Sequence, residues 1–413
     1  MGGMGHGRRF RLPLAIVVAV AAAGVATFLL RPRSGLIDPA AASAEGYFTA
    51  FQLERAEDFR GVQRMIGIGG LLVGMGTLAL LAWRPPQLLG RLERRPLLGG
   101  LAAGAAISLL LVVVGLPLSA WAHQRAVEVG LSTQDWGPWL VDVAKAAAVG
   151  AAIAGAGGMI ALALVRRFPR HWWAPAAVVV TGFAVVTIWL FPVVIDPIFN
   201  DFRKLPEGQL RSDVLQLADE AGVEVGEVYR VDASRRTTAA NAYVNGLGNS
   251  KRVVLYDNLL SRFPRDEVRL VIAHELSHQK HRDLLRGLAW LALVAPAGTF
   301  LAQSLGERFS RRLREPGARP GPLVLPAIAL AVSLVSFGLG IASNVLSRQV
   351  ERRADVFSLE LTRDPAAFIQ LERRLALRNV TDPDPPGITH WLFGTHPTTL
   401  ERIGIGEAWR ANR

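Results

Sequence analysis

The chain has 413 residues, of which 51% are hydrophobic and 19% charged, with mean hydropathy +0.28 and a formal net charge of +12. The charged fraction is below the usual quarter of a soluble protein and agrees with a membrane protein, and the lack of Cys excludes a disulfide framework, a thiol nucleophile and a cysteine metal site. The basic excess does not point to nucleic acid, because the arginines gather at the ends of apolar runs without the aromatic interleaving of an RNA-binding surface.

In chain order, seven apolar runs reach the roughly 20 residues that a bilayer crossing needs: about 12–30, 66–83, 98–121, 144–165, 174–195, 285–304 and 322–345. The first follows Arg8, Arg9 and Arg11 in the manner of a signal peptide, yet no small-residue cleavage site comes after it, so it is expected to remain as an anchor. The third, fourth and seventh are rich in Gly, Ala and Ser, which favours close helix packing. Arginines collect beyond the second run (Arg84, Arg91, Arg94, Arg95), the fourth (Arg166, Arg167, Arg170) and the sixth (Arg308, Arg311, Arg312, Arg314, Arg319). That pattern is a topology signal and a contact for anionic lipid, and it places the amino terminus in the cytoplasm. Only Lys145, Lys204, Lys251 and Lys280 are lysines, an Arg bias that suggests a bacterial cell membrane as the location.

The expected organisation is a membrane region over 1–195 with five spans, a soluble segment over 196–283, a hairpin of spans six and seven over 284–345, and a second soluble segment over 346–413. In the first soluble segment the pattern predicts a helix near Glu207–Glu220, strands near Glu227–Val231, Ala240–Val244 and Arg252–Tyr256, and a helix from Asp266 to Asp283. The second predicts a helix carrying Glu351, another near Pro365–Arg378, and a Pro-rich turn at Asp382–Gly387. With seven spans both segments emerge on one side of the membrane, so they can build one site. The fold class is thus a multi-pass α-helical membrane protein with an inserted α+β domain.

His274-Glu275-Leu276-Ser277-His278 carries the chemistry. Helical positions i and i+4 share a face, so the two imidazoles converge on one point while Glu275 lies within reach of a water there as its base. Solvated histidines on a surface helix are the bland alternative, but the apolar flank Val271-Ile272-Ala273 buries this helix. A catalytic zinc site needs a third protein ligand. Glu351 and Asp355 are again i and i+4, so Glu351 can bind metal while Asp355 holds the free N–H of a ligating histidine. Asp283 is a second such partner, and His281 is expected to be solvated. Asn241 and Ala242 belong to a strand that ends in an Asn245-Gly246 turn, the kind of edge on which a substrate backbone is held extended.

These motifs join others: Ile195-Asp196-Pro197-Ile198-Phe199-Asn200, Asn241-Ala242-Tyr243-Val244-Asn245-Gly246, Ser250-Lys251-Arg252, Asn344, Ser347-Arg348, and Thr395-His396-Pro397 before Arg402-Ile403. Together they resemble the integral-membrane CAAX prenyl endopeptidases, type I, over essentially the whole chain. The resemblance implies a helical barrel around a water-filled chamber and one zinc ion per chain. It also implies that His396 and Arg402 are suited to stabilise an oxyanion, although for Arg402 a salt bridge with a nearby acid is the commoner reading. Eukaryotic members cleave prenylated proteins near the C-terminus and present their zinc domain to the cytosol, opposite to the side the arginines indicate here. For a bacterial chain, membrane or misfolded proteins are the more general substrate. Gln279 replaces an aromatic residue of eukaryotic members and is expected on the helix exterior. The rival reading is a catalytically inactive zinc-binding scaffold or transporter, against which the intact Glu275 speaks.

Overall fold

The computed structural model describes residues 11–245, 252–313 and 319–412. Arg8, Arg9, Gly246, Ser250, Lys251 and Arg314 therefore lie outside the described residues. Among the described residues seven helices are long and apolar enough to cross a membrane. They are α1 (Arg11–Leu30), α2 (Ala50–Trp83), α3 (Pro96–Glu128), α4 (Trp136–Arg167), α5 (Trp173–Leu190, continued by a π turn at Phe191–Ile195 and a short helix to Phe199), and two more after the soluble segment. All seven expected spans are present, but several helices outrun their apolar runs. α2 starts at Ala50 because a capping box, with Thr49 and Gln52 each bonding the other's backbone N–H, nucleates it well before the apolar stretch.

The small-residue pattern explains the tightest pairing, α3 against α4: a Cβ at Gly104 would collide with the carbonyl of Ala154, and one at Gly158 with that of Gly100. The first span is tied along the sixth, where Trp290 Nε1 donates to Thr27 Oγ1 at 3.0 Å, Arg286 Nη1 to Leu30 O at 2.8 Å, and Arg11 Nη1 to Glu307 Oε2 at 2.9 Å.

The first soluble segment holds β1 (Phe202–Lys204), α6 (Gln209–Ala221), β2 (Glu227–Val231), β3 (Ala242–Asn245), β4 (Arg252–Tyr256) and α7 (Arg265–Lys280). The sheet order is β1-β2-β4-β3, with β2 and β4 parallel and the outer pairs antiparallel, so β3 is an edge strand. α7 ends at Lys280, short of the expected Asp283. Arg282 then adopts a left-handed conformation with φ 54°, and span six, α8 (Asp283–Phe309), begins at once. That conformation costs a non-glycine residue about 1–2 kcal/mol, and it turns Asp283 back toward α7.

Span seven and the Glu351 helix, which the sequence presents as separate stretches, are one rod, α9 (Leu325–Thr362). α10 (Pro365–Arg378), α11 (Gly387–Phe393) and α12 (Thr399–Ala411) follow. One apolar core unites the soluble segments: Leu270, Ala273 and Leu276 of α7 pack with Val356, Leu359, Phe368, Leu371 and Ile405. Ion pairs moor this unit to the spans, Arg236 to Asp142 at 2.7 Å and Arg64 to Asp382 at 2.7 Å. The arginine clusters lie at the other end of the bundle, where Arg166 Nη1 donates to Pro320 O at 2.9 Å.

Candidate active site

α7 presents His274, Glu275 and His278 at the boundary between the spans and the soluble core, and α9 brings Glu351 against them. One ligand atom from each of His274, His278 and Glu351 lies within 4.8 Å of the others. Glu351 is 3.2 Å from His274 Nε2 and 3.7 Å from His278 Nε2, and the imidazoles stand edge to face with centroids 5.0 Å apart. Each ring is held from behind through its other nitrogen. His274 Nδ1 is 2.9 Å from Asp355 Oδ1, and His278 Nδ1 is 3.2 Å from Asp283 Oδ2. A carboxylate on Nδ1 fixes the tautomer that leaves Nε2 free for a metal. Two imidazoles and one carboxylate with room for water are a donor set that suits catalytic zinc.

The field at this point favours positive charge. Burial alone would depress the His274 pKa, but its bonds to Asp355 and Glu351 raise it to about 10. A cation placed among these donors would take over the role of that proton. Burial pushes the Glu275 carboxyl up from its usual range, against the pull of His274 and His278.

A second layer of charge supports the first. Arg402 donates from Nε to Asp355 Oδ2 at 2.9 Å and from Nη2 to Asp355 Oδ1 at 2.5 Å, while its Nη1 lies 2.9 Å from Glu372 Oε2. Three of the nitrogens expected to face an oxyanion therefore face carboxylates. Glu372 is itself buried, and burial raises its carboxyl to about 7. Sequence reading did not single out Glu372. The signal was present: it sits at helical spacing among Phe368, Leu371 and Leu375, a lone acid on the apolar stripe of α10. Asp283 likewise has partners the sequence did not announce, pairing with Arg353 and, at 3.3 Å, with Arg286. His396 is exposed and points at the centre, its Nε2 3.3 Å from Glu351 Oε2 and its Nδ1 2.9 Å from Thr395 Oγ1.

Two expectations on α7 need correction. Gln279 does not sit idle on the exterior: its Nε2 donates to Val244 O at 3.1 Å and ties the helix to β3. His281 is not free in solvent, because Nδ1 lies 3.0 Å from Ser277 O and the ring packs edge-on against Phe357 at 5.7 Å. Val244 on β3 and Phe357 on α9 are partners that the α7 pattern alone cannot reveal, whereas the Ser277 carbonyl belongs to α7 itself.

Two cavities flank the site, and Glu275 borders both. One, of about 1040 Å³, has an apolar wall from α5, including Val180, Phe183 and Ile188, facing Tyr243, His278 and Glu351. The other, of about 350 Å³, is lined by Asn241, His274, Glu372, His396 and Arg402. β3 lines the first through Tyr243 and Val244, and Asn241, just ahead of the strand, lines the second. Asn241 O accepts from Tyr256 N–H, so by antiparallel alternation Ala242 and Val244 turn their backbone groups to the open edge. Side-chain amides cover these groups: Asn241 Oδ1 accepts from Ala242 N–H at 2.9 Å, and Gln279 covers Val244 O.

Fold and site together define an integral-membrane metallopeptidase. Residues 204–408 match peptidase family M48, and residues 68–201 match the CAAX prenyl protease N-terminal, five membrane helices. The uncharacterized metalloprotease YhfN of Bacillus subtilis is 33% identical over 304 residues, 73% of this chain and 71% of that protein. CAAX prenyl protease 1 of Saccharomyces cerevisiae is 27% identical over 325 residues, 72% of this chain and 69% of its own. The crystal structure of S. mikatae Ste24p shares the fold with a TM-score of 0.78 at 19% identity, covering 96% of this chain and 99% of that one. The chain belongs to peptidase family M48 and is a multi-pass membrane metalloendopeptidase.

Proposed function

We propose that this enzyme holds one zinc ion on His274, His278 and Glu351 and cleaves peptide bonds of membrane-associated proteins beside apolar or lipid-modified residues. The observation that carries the reading is the convergence of those three donors next to Glu275 at the meeting point of the two cavities. When bound, zinc supplies a Lewis acid that activates a water and polarises the scissile carbonyl. Glu275 takes the proton from the attacking water and delivers it to the leaving amine. Asp355 and Asp283 orient the two imidazoles, and Arg402 keeps Asp355 ionised. His396, exposed and beside Glu351, is the side chain free to donate to the oxyanion.

The substrate strand adds to the edge of β3, where its own peptide groups replace the Asn241 and Gln279 amides on Ala242 and Val244. Apolar substrate residues then lie against the α5 wall. This agrees with the substrate class in the name of the yeast relative. An inactive scaffold would have no use for a base placed at the mouth of both cavities.

The test is Glu275→Gln, which preserves the helix and both imidazoles. The purified variant should keep about one zinc per chain and lose hydrolysis of a membrane-anchored peptide by orders of magnitude. Near wild-type turnover would overturn the mechanism.

A further inference from the structure

At the end of the bundle away from Glu275, spans two, six and seven leave an open cavity of about 600 Å³. Its floor is apolar, from Ala79, Ala82 and Leu330, and its rim carries Arg308, Arg311 and Arg312. Among the described residues no carboxylate lines it. The adjacent acid, Glu307, is already taken by Arg11 and Gln303. Among the described residues none of the three guanidiniums has a hydrogen-bond or ion-pair partner. Charge for topology requires arginines at span ends but not a cavity beneath them, and three cations sharing one rim repel unless an anion joins them.

We propose that this cavity binds an anionic phospholipid. The phosphodiester lies among Arg308, Arg311 and Arg312, whose planar forks match phosphate oxygens, and an acyl chain lies along Ala79, Ala82 and Leu330. The apolar floor selects a lipid over a free anion, which would leave that surface bare. Trp83, exposed beside the rim, suits the interface between headgroups and hydrocarbon. Leu330 is one long helix away from Glu351 on α9, about 30 Å by helical rise, so the site stands apart from the peptidase centre.

The experiment compares wild type with the triple variant Arg308→Gln, Arg311→Gln, Arg312→Gln and with Ala79→Trp, which crowds the floor without touching charge. Protein is loaded with phosphatidylglycerol or phosphatidylcholine, passed through detergent exchange, and its retained lipid counted by native mass spectrometry. Wild type should retain phosphatidylglycerol selectively. At roughly fivefold in affinity per basic residue, the triple variant should bind it about 100-fold more weakly, and Ala79→Trp should bind it measurably more weakly. Peptidase activity in detergent should be unchanged in both, which shows that they fold. Phosphatidylglycerol retention equal to wild type in either variant would overturn the proposal. So would displacement of the lipid by inorganic phosphate at equal concentration, which would make this an anion site.

Discussion

Arg402 separates two ways of building this centre. Its guanidinium neutralises two buried carboxylates, Asp355 at 0% exposure and Glu372 at 2%. Replacing it with Met leaves Glu372 without a countercharge and Asp355 with His274 alone, and breaking a buried ion pair costs about 3–5 kcal/mol. Glu372 has an escape, because its carboxyl at about 7 protonates readily near neutral pH. Asp355 has none, being held ionised by His274 as well. The loss should therefore fall near the lower end, about 3 kcal/mol, which corresponds to a melting shift on the order of 5–10 °C. Asp355 freed from Arg402 also orients His274 less well, so zinc affinity should drop about 10- to 100-fold. The assay pairs thermal unfolding followed by tryptophan fluorescence with zinc competition against a chelator. Arg402→Lys, which keeps the charge without the two-pronged bond, should fall between. If Arg402→Met melts and binds zinc like wild type while turnover collapses, the positioning argument fails and Arg402 acts on the substrate directly.

Glu351→Ala should abolish stoichiometric zinc along with activity, whereas Asp355→Ala should only weaken affinity; full zinc by metal analysis without Glu351 would mean the third ligand is another residue. Glu372 has a native pKa of about 7 against an ordinary 4.5, so its stabilising contribution is complete below about pH 4.5 and is lost as pH rises through about 7. Across that window Glu372→Gln should gain stability relative to wild type and then level off; parallel denaturation curves from pH 4 to 8 would contradict this. Single cysteines at Ser212 and Arg319 in this cysteine-free chain test sidedness: by the charge rule an impermeant maleimide on intact cells labels the first and spares the second, and the reverse pattern would put the zinc unit in the cytosol.

What could be read from sequence was what helical periodicity places locally. His274 with His278, and Glu351 with Asp355, are pairs at i and i+4, so each half of the centre is visible before folding. Edge position for β3, by contrast, is a property of sheet order, and no local pattern encodes it. Glu372 joins the centre only when α10 packs on α7, and its sole trace was an acid on an apolar stripe. The break at Arg282 was hidden because arginine carries no left-handed preference, so the helical pattern seemed to continue to Asp283. Helix ends were misplaced for a related reason. Hydropathy marks where a helix meets lipid, while α2 begins 16 residues earlier than its expected span, at Ala50 instead of 66, on charged turns with their own cap.

The two halves of the proposed metal site reach each other through rigid elements rooted in the membrane. α7 passes into span six through the left-handed turn at Arg282, and Glu351 rides on the same unbroken helix as span seven. Spans six and seven pack closely where a Cβ at Gly298 would meet the terminal Cδ1 methyl of Leu339. The separation between the histidines and Glu351 is therefore set by helix packing inside the bilayer as much as by the soluble core. Gly298→Ala needs only Leu339 to turn aside, but Gly298→Phe also meets Val335 and would push the rods apart far from any ligand, and a site that tolerates little displacement would register it as lost zinc before lost fold.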